Sequence, residues 1–247
     1  MLDHDNLEEF QDPANYDLEF GGETQKYAFF IELAKRYNGP VLELACGTGL
    51  TALPIAERGI PITGVDLSAA MLEYAKTKSQ NLPIEFIEAD ARSFRRAKRF
   101  SLIYLTGNAF QAFLTRPDQE ALLATVRHHL EPNGVLAFET RNPSGTDLSL
   151  QEIEEPWHSF TNVAGEVVQV SGTQRYEANT QIMYWTTIRR WRDHLSVTRI
   201  ACRFTDPAEL AALLHENGFY IKEQYGDWDK SPLGEQSPSI ISVCGVR

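Results

Sequence analysis

Short apolar runs and amphipathic stretches alternate along the first 142 residues of the chain. The apolar runs lie at residues 41–45, 60–66, 84–90, 100–106 and 134–140. They are nearly continuous rather than alternating, which is typical of strands that are buried on both faces of a parallel sheet. Stretches with a helical pattern lie around and between them, at residues 23–37, 50–59, 68–76 and 117–130. This order predicts a parallel sheet that helices cover on both faces.

The pattern changes in the second half of the chain. Between residues 156 and 203, β-rich runs are separated by the turn signals "AGE", "EANT" and "RDHL". We expect three or four antiparallel strands there. Residues 205–219 then return to a helical pattern, and two further strands follow at 220–227 and 239–247.

The composition agrees with a single α/β domain that carries an insert. The chain has 247 residues, of which 43% are apolar, and this suffices for a globular core. The predicted fold is a doubly wound, mostly parallel seven-stranded sheet of Rossmann-like type. We assign this domain to residues 1–155 and 204–247, and a small antiparallel β-subdomain to residues 156–203.

The charge and the cysteine content limit which binding partners and which cellular compartment are expected. The net charge of −11 argues against nucleic acid as a partner. Residues 92–100 and 189–192 are locally basic, which fits a solvated surface or an anionic substrate. There is no apolar run that could span a membrane, and the acidic start does not have the features of a secretory signal. Cys46, Cys202 and Cys244 have no disulfide or zinc spacing, which predicts a cytoplasmic protein without a metal site.

A glycine-rich turn follows the first predicted strand. In open parallel sheets, ligands bind beyond the carboxyl ends of the strands, and Gly47 and Gly49 lie there. A phosphate-binding P-loop is excluded because Lys does not follow Gly49. The stretch "GTGLTA" does fit the G-x-G-x-x-G/A pattern of nicotinamide dinucleotide sites, with Asp66 about 20 residues further on. That alternative therefore stays open on spacing alone.

Four segments, taken in order, resemble a known family. They are "LELACGTG" at residues 42–49, "VDLSAAML" at 65–72, "EADARSF" at 88–94 and "LIYLTGNAF" at 102–110. Together they are similar to the motifs of class I S-adenosylmethionine-dependent methyltransferases. The inserted sheet resembles the branch of that family that acts on small molecules. The resemblance implies an enzyme with S-adenosylmethionine as its cofactor and a final antiparallel strand in the main sheet.

The resemblance also implies which residues bind the cofactor. Ala45 and Gly47 would lie against the methionine end, and Glu43 would hold the ammonium group or order the loop. The two carboxylate oxygens of Asp66 suit the two ribose hydroxyls. Tyr16 would close the site from the N-terminal segment. Six further residues are implied: Leu67, Met71, Asp90, Ala91, Leu105 and Thr106. The first two would form an apolar wall for adenine, the next two would bind its polar edge, and the last two would lie near the sulfonium.

The expected reaction is in-line transfer of a methyl group to a nitrogen or oxygen atom of a small-molecule acceptor. The protein would align the reactants, exclude water and, where needed, remove one proton. The candidate catalytic residues are His158, at the start of the insert, and Arg141, directly after the fifth strand. The insert would be a lid over the substrate or the face of a homodimer. The alternatives are an RNA or protein methyltransferase, or a non-catalytic module with the same fold.

Overall fold

The computed structural model describes residues 6–247. Within that range, the helices are α1 Pro13–Phe20, α2 Thr24–Tyr37, α3 Ala52–Ala56, α4 Ala69–Lys78, α5 Arg116–His129 and α6 Pro207–Glu216. The strands are β1 Val41–Leu44, β2 Ile62–Asp66, β3 Ile84–Glu88, β4 Phe100–Leu105, β5 Leu130–Arg141, β6 Gln151–Thr161, β7 Val167–Glu177, β8 Ile182–Arg190, β9 Leu195–Arg203, β10 Phe219–Tyr225 and β11 Ser239–Val246.

The main sheet has seven strands in the order β10-β11-β5-β4-β1-β2-β3. β1 to β5 are mutually parallel, whereas β11 runs antiparallel to both β5 and β10. The strand order reverses at β1, so that β4 and β2 lie on its two sides. This reversal leaves a crevice at the carboxyl ends of β1 and β4, which is where such sheets bind ligands.

Helices cover both faces of this sheet because successive strand residues point to opposite sides. On β1, Val41 packs into a core cluster that also contains residues of α2 and α3. Leu42 and Leu44 pack into the opposite cluster, together with residues of α5 and α6. The expected doubly wound, mostly parallel seven-stranded sheet is confirmed.

Local sequence determines where the helices begin and end. The Ser68 hydroxyl accepts a hydrogen bond from the Met71 N–H at 3.4 Å and caps α4 as a helix N-cap does. α2 ends at Asn38, whose φ of 43° lies in the left-handed region. The expected helix over residues 50–59 is wrong in length. α3 covers only Ala52–Ala56, because the chain continues in tight turns to Gly59.

A second, four-stranded antiparallel sheet follows β5, in the order β6-β7-β8-β9. It begins at Gln151 and ends at Arg203, where the chain returns to the main domain. The α1 helix packs against β6 of this sheet and against α4 of the main domain. Within residues 6–247, no helix combines the length and apolarity that crossing a bilayer requires.

Candidate functional site

The turn after β1 is held by the side chain that ends β2. The Asp66 carboxylate accepts the Gly47 N–H at 2.7 Å through Oδ2 and the Ser68 N–H at 2.8 Å through Oδ1. Burial raises the pKa of Asp66, although these hydrogen bonds oppose that shift. Each carboxylate oxygen still has a free lone pair for a ligand hydroxyl.

The backbone of this turn leaves room for a ligand. The φ angles of Ala45 and Gly47 are 56° and 53°, in the left-handed region that glycine adopts without strain. A Cβ atom on Gly47 would meet the Met71 Cε at 3.4 Å. Of the atoms that the structure describes, no other lies within 4 Å of that position. A ligand can therefore approach the backbone of the turn from that side.

A cleft opens beside this turn, between α1, α2 and the ends of β1 and β4. Five of the residues predicted to bind the cofactor line it: Tyr16, Glu43, Ala45, Gly47 and Thr106. Phe20, Lys26 and Tyr27 are among the further lining residues that sequence reasoning did not single out. Burial raises the pKa of Tyr16, so its hydroxyl is neutral. The predicted site residues from the first, second and fourth motifs therefore meet at one place.

The floor of the cleft carries a buried carboxyl group. Glu43 is 1% exposed, and its Oε2 accepts the Tyr104 hydroxyl at 2.9 Å. Burial raises the pKa of Glu43 well above its ordinary value. Lys26 is close enough for Glu43 and Glu139 to raise its pKa, although burial lowers it more. The Lys26 ammonium forms an ion pair with Glu23 and gives the cleft a cation.

Glu139 is a second buried carboxyl group at this edge, and sequence reasoning missed it. It lies near the end of β5 and is 3% exposed. Its Oε1 accepts the Asn108 N–H at 3.1 Å and the Thr106 hydroxyl at 3.3 Å. Among the described residues, its buried Oε2 has no hydrogen-bond partner. The available signal was an acidic residue at the end of the apolar run "GVLAFET".

The residues predicted for the adenine end lie next to Asp66 and β3. The Leu67 side chain is 50% exposed beside the turn, whereas Met71 and Ala91 are buried. The Asp90 carboxylate is held by Arg92, whose Nε lies 3.0 Å from both oxygens, and this guanidinium lowers the Asp90 pKa. A role of Asp90 in adenine binding stays a prediction.

Leu105 and Thr106 end β4 differently. The Leu105 side chain packs in the core, and Leu105 is not among the residues that line the cleft. The Thr106 side chain lies beside the cleft and bonds to Glu139. Of this pair, only Thr106 presents a side chain to a bound ligand.

The two candidate catalytic residues lie at the junction with the insert. Arg141 donates its backbone N–H and its Nη1 to the Gln111 Oε1, both at 3.2 Å. Its guanidinium lies 5.2 Å from the centre of the Trp185 ring on β8. His158, on β6, places Nε2 2.9 Å from Glu19 Oε1. The structure therefore places Arg141 beside Glu139 on β5, and His158 against α1.

The α1 helix connects the cleft to the insert. Asp17 accepts hydrogen bonds from the Thr48 hydroxyl and from Lys78 on the cofactor side. Glu19 accepts a hydrogen bond from the Arg189 Nε on the insert side, at 2.7 Å. Because Tyr16 lies on the same helix, these contacts fix the wall of the cleft.

Comparisons with known proteins agree with this site. A family model described as a methyltransferase domain matches residues 41–134, from β1 into β5. The chain is 30% identical over 226 residues to glycine/sarcosine N-methyltransferase of Halorhodospira halochloris, covering 86% of this chain and 77% of that protein.

Several other curated relatives are matched over about half of their length. The cypemycin N-terminal methyltransferase of Streptomyces sp is 31% identical over 106 residues, which is 42% of each protein. Among solved structures, the CcbJ methyltransferase of Streptomyces caelestis is 21% identical with a TM-score of 0.86, covering 98% of this chain and 99% of that one. This last similarity supports the fold.

The fold and the cleft define an α/β protein that binds a nucleoside-containing cofactor beyond its first two strands. The similarity to an N-methyltransferase, over 86% of this chain and 77% of that protein, identifies it further. The chain belongs to the class I S-adenosylmethionine-dependent methyltransferases. The predicted family, enzyme class and cofactor are confirmed, and the nicotinamide alternative is excluded.

Proposed function

We propose that this chain transfers a methyl group from S-adenosylmethionine to a nitrogen or oxygen atom of a small molecule. The observation that carries the proposal is the cleft at the ends of β1 and β4. It joins an open glycine turn, which the Asp66 carboxylate holds, to polar side chains at the ends of β1 and β4. The cleft lies partly beneath α1, so a reacting centre within it would be shielded from water.

The side chains around the cleft fit the chemical groups of this cofactor. Asp66 has free lone pairs for the ribose hydroxyls, and the exposed Leu67 offers an apolar face for adenine. The Lys26 ammonium suits the methionine carboxylate, and Glu43 is a buried acidic group in the cleft lining for the ammonium end. When bound, S-adenosylmethionine supplies a methyl group that is already activated by its sulfonium. The protein then has to orient the two reactants in line.

The junction with the insert is the proposed acceptor side. Gln111 receives two hydrogen bonds from Arg141 and donates its Nε2 to the Arg203 backbone oxygen at 3.0 Å, so it ties β5 to β9. The insert is therefore connected to the end of β5 through Gln111. We assign to Arg141 the binding of an anionic part of the acceptor. We assign to His158 the positioning of α1, because its ring is bonded to Glu19.

A nitrogen acceptor is favoured over oxygen. The relative matched along most of the chain is named for N-methylation of glycine and sarcosine, and cypemycin N-terminal methyltransferase is named for a nitrogen position too. A neutral amine also needs less help from a base than a hydroxyl does.

The two basic segments give little support to an RNA or acidic-protein substrate. Arg92 pairs with Asp90 and Asp118, and Arg189 pairs with Glu9 and Glu19. Charges that are neutralised within the chain contribute little to phosphate binding. A small-molecule acceptor is therefore the better proposal.

The test is transfer of a labelled methyl group from S-adenosylmethionine. The purified chain is incubated with glycine, with sarcosine, with total RNA and with a fractionated metabolite extract. Label in a low-molecular-mass acceptor supports the proposal. Label confined to RNA, or no label in any fraction although the cofactor binds, contradicts it and favours the RNA enzyme or the non-catalytic module, respectively.

A further inference from the structure

Three unpartnered polar atoms belong to one residue that lines the cleft and to two residues that adjoin its lining. They are the Glu139 Oε2, the Asn108 Oδ1 and the Tyr27 hydroxyl, and all three are buried. Tyr27 lines the cleft directly. Asn108 and Glu139 are joined through the Asn108 N–H, and the neighbouring Thr106 and Gly107 also line the cleft. Buried polar atoms without partners are rare and costly, so their position beside a cleft points to a ligand.

The charged and polar groups around Glu139 do not provide a hydrogen-bond donor for its Oε2. Burial raises the pKa of Glu139 and the charge of Lys26, from α2, opposes that shift, while Lys26 forms its ion pair with Glu23. Glu43, from β1, is a second buried acid, and Tyr104, from β4, donates to Glu43. Arg141, on the same strand as Glu139, is bonded to Gln111. Among these groups, none donates a hydrogen bond to the Glu139 Oε2 within the described residues.

The chemistry of the three atoms indicates what the ligand must provide. A carboxylate oxygen and an amide oxygen only accept hydrogen bonds, and a tyrosine hydroxyl can also accept one. A ligand that satisfies them must carry several N–H or O–H donors. A neutral primary amine provides two and a neutral secondary amine provides one, whereas a carboxylate acceptor provides none.

We propose that Glu139 binds the acceptor amine and removes its proton, so that this methyltransferase is specific for primary and secondary amines. This inference rests on the function proposed above and specifies its substrate class. A primary amine would donate its two N–H groups to the Glu139 Oε2 and the Asn108 Oδ1, and a secondary amine would donate its single N–H to the Glu139 Oε2. The Arg141 guanidinium, two residues along β5, would hold an acidic group of the same molecule.

The methyl-transfer step balances with these residues alone. The nitrogen lone pair forms a bond to the methyl carbon, and the carbon–sulfur bond breaks with its electron pair left on sulfur. The nitrogen gains a positive charge and loses one proton to the Glu139 Oε2. The protonated carboxyl group then returns this proton to water when the product leaves. Burial raises the pKa of Glu139, which makes its carboxylate a stronger base than an exposed one.

The experiment compares wild type with E139Q, E139D and the matched control E85Q. Glu85 lies on β3, and its side chain is 58% exposed, away from the cleft. The acceptors are glycine, sarcosine and glycolate, the last of which has a hydroxyl in place of the amine. Methyl transfer gives kcat and KM across pH, and calorimetry gives the affinity for S-adenosylhomocysteine.

We expect E139Q to lower kcat/KM for the amines by about 100-fold, the lower end of the effect of a positioned base. The fall of kcat/KM at low pH should disappear in E139Q, and E139D should recover part of the rate. The affinity of E139Q for S-adenosylhomocysteine should match that of E85Q. If E139Q lost as much affinity for S-adenosylhomocysteine as it lost in kcat/KM, Glu139 would be a cofactor-binding residue and the inference would be overturned. Transfer by wild type to glycolate but to neither amine would overturn it too, while the proposed function stands. An absence of transfer by wild type to these acceptors and to every fraction of the metabolite extract would instead contradict the proposed function.

Discussion

Replacing Arg189 with methionine should separate the α1 helix from the insert. The guanidinium donates to the Glu19 Oε2 and the Glu9 Oε2, both at 2.7 Å, and to the Thr198 hydroxyl at 2.9 Å. The side chains of Arg189, Glu9 and Glu19 are 10%, 9% and 2% exposed. Methionine keeps most of the apolar stem but provides no donor, so R189M leaves two buried carboxylates without their cation.

The magnitude follows from this burial. Removing one partner of a buried ion pair costs about 3–5 kcal/mol, because the remaining charge stays desolvated. His158 donates to the Glu19 Oε1 and provides partial compensation. We therefore expect the free energy of unfolding to fall by about 3 kcal/mol, near the low end of that range. Because Tyr16 lies on the released helix, the affinity for S-adenosylhomocysteine should fall as well.

Urea denaturation of wild type and R189M measures the first effect, and calorimetric titration with S-adenosylhomocysteine measures the second. The matched control is R190M on the same strand, where Arg190 pairs with Glu154 at the surface. Surface pairs are screened by solvent, so R190M should resemble wild type in both measurements. The reasoning is refuted if R189M unfolds at the same urea concentration as R190M, because the buried triad would then not hold α1.

Two further predictions concern buried polar groups. Y104F removes the hydroxyl that donates to the Glu43 Oε2 at 2.9 Å, and should lower the free energy of unfolding by about 1–3 kcal/mol in urea denaturation; an unchanged midpoint would mean that this hydrogen bond contributes nothing. The His129 Nε2 accepts the Arg96 N–H at 3.0 Å, and burial lowers the pKa of this ring in the folded chain. Below the unfolded pKa of about 6.5, the unfolded chain therefore binds more protons than the folded chain does. The wild type should therefore lose more stability than H129Q as the pH falls from about 7 to about 5, and equal losses would contradict this cause.

The main sheet could be predicted because its information is local. Buried parallel strands are continuous apolar runs, and Ser68 and the glycine turn act within a few residues of their own positions. The same holds for Asp66, whose place at the end of β2 follows from the length of one strand–helix unit. These features fix the cofactor side of the site.

The acceptor side of the site could not be predicted, because it depends on contacts between residues that are far apart in the sequence. The basic segment at residues 189–192 suggested solvated surface or an anionic substrate, yet Arg189 is buried against acids from the N-terminal segment, 170 and 180 residues away in sequence. His158 looked catalytic from its place in the chain, and only the position of α1 shows its contact with Glu19. Glu139 looked like an ordinary residue at a strand end, because burial and the lack of a partner are tertiary properties.

Calorimetric titration with S-adenosylhomocysteine tests the central claim most directly. Wild type, D66A and the exposed-site control D193A are titrated with it, and NAD(H) and NADP(H) serve as control ligands. We predict binding of S-adenosylhomocysteine alone, weakened about 10- to 100-fold in D66A through the loss of hydrogen bonds to a charged group. D193A should bind as wild type does. Binding of the nicotinamide cofactors instead, or equal binding of S-adenosylhomocysteine by D66A and D193A, would contradict the account.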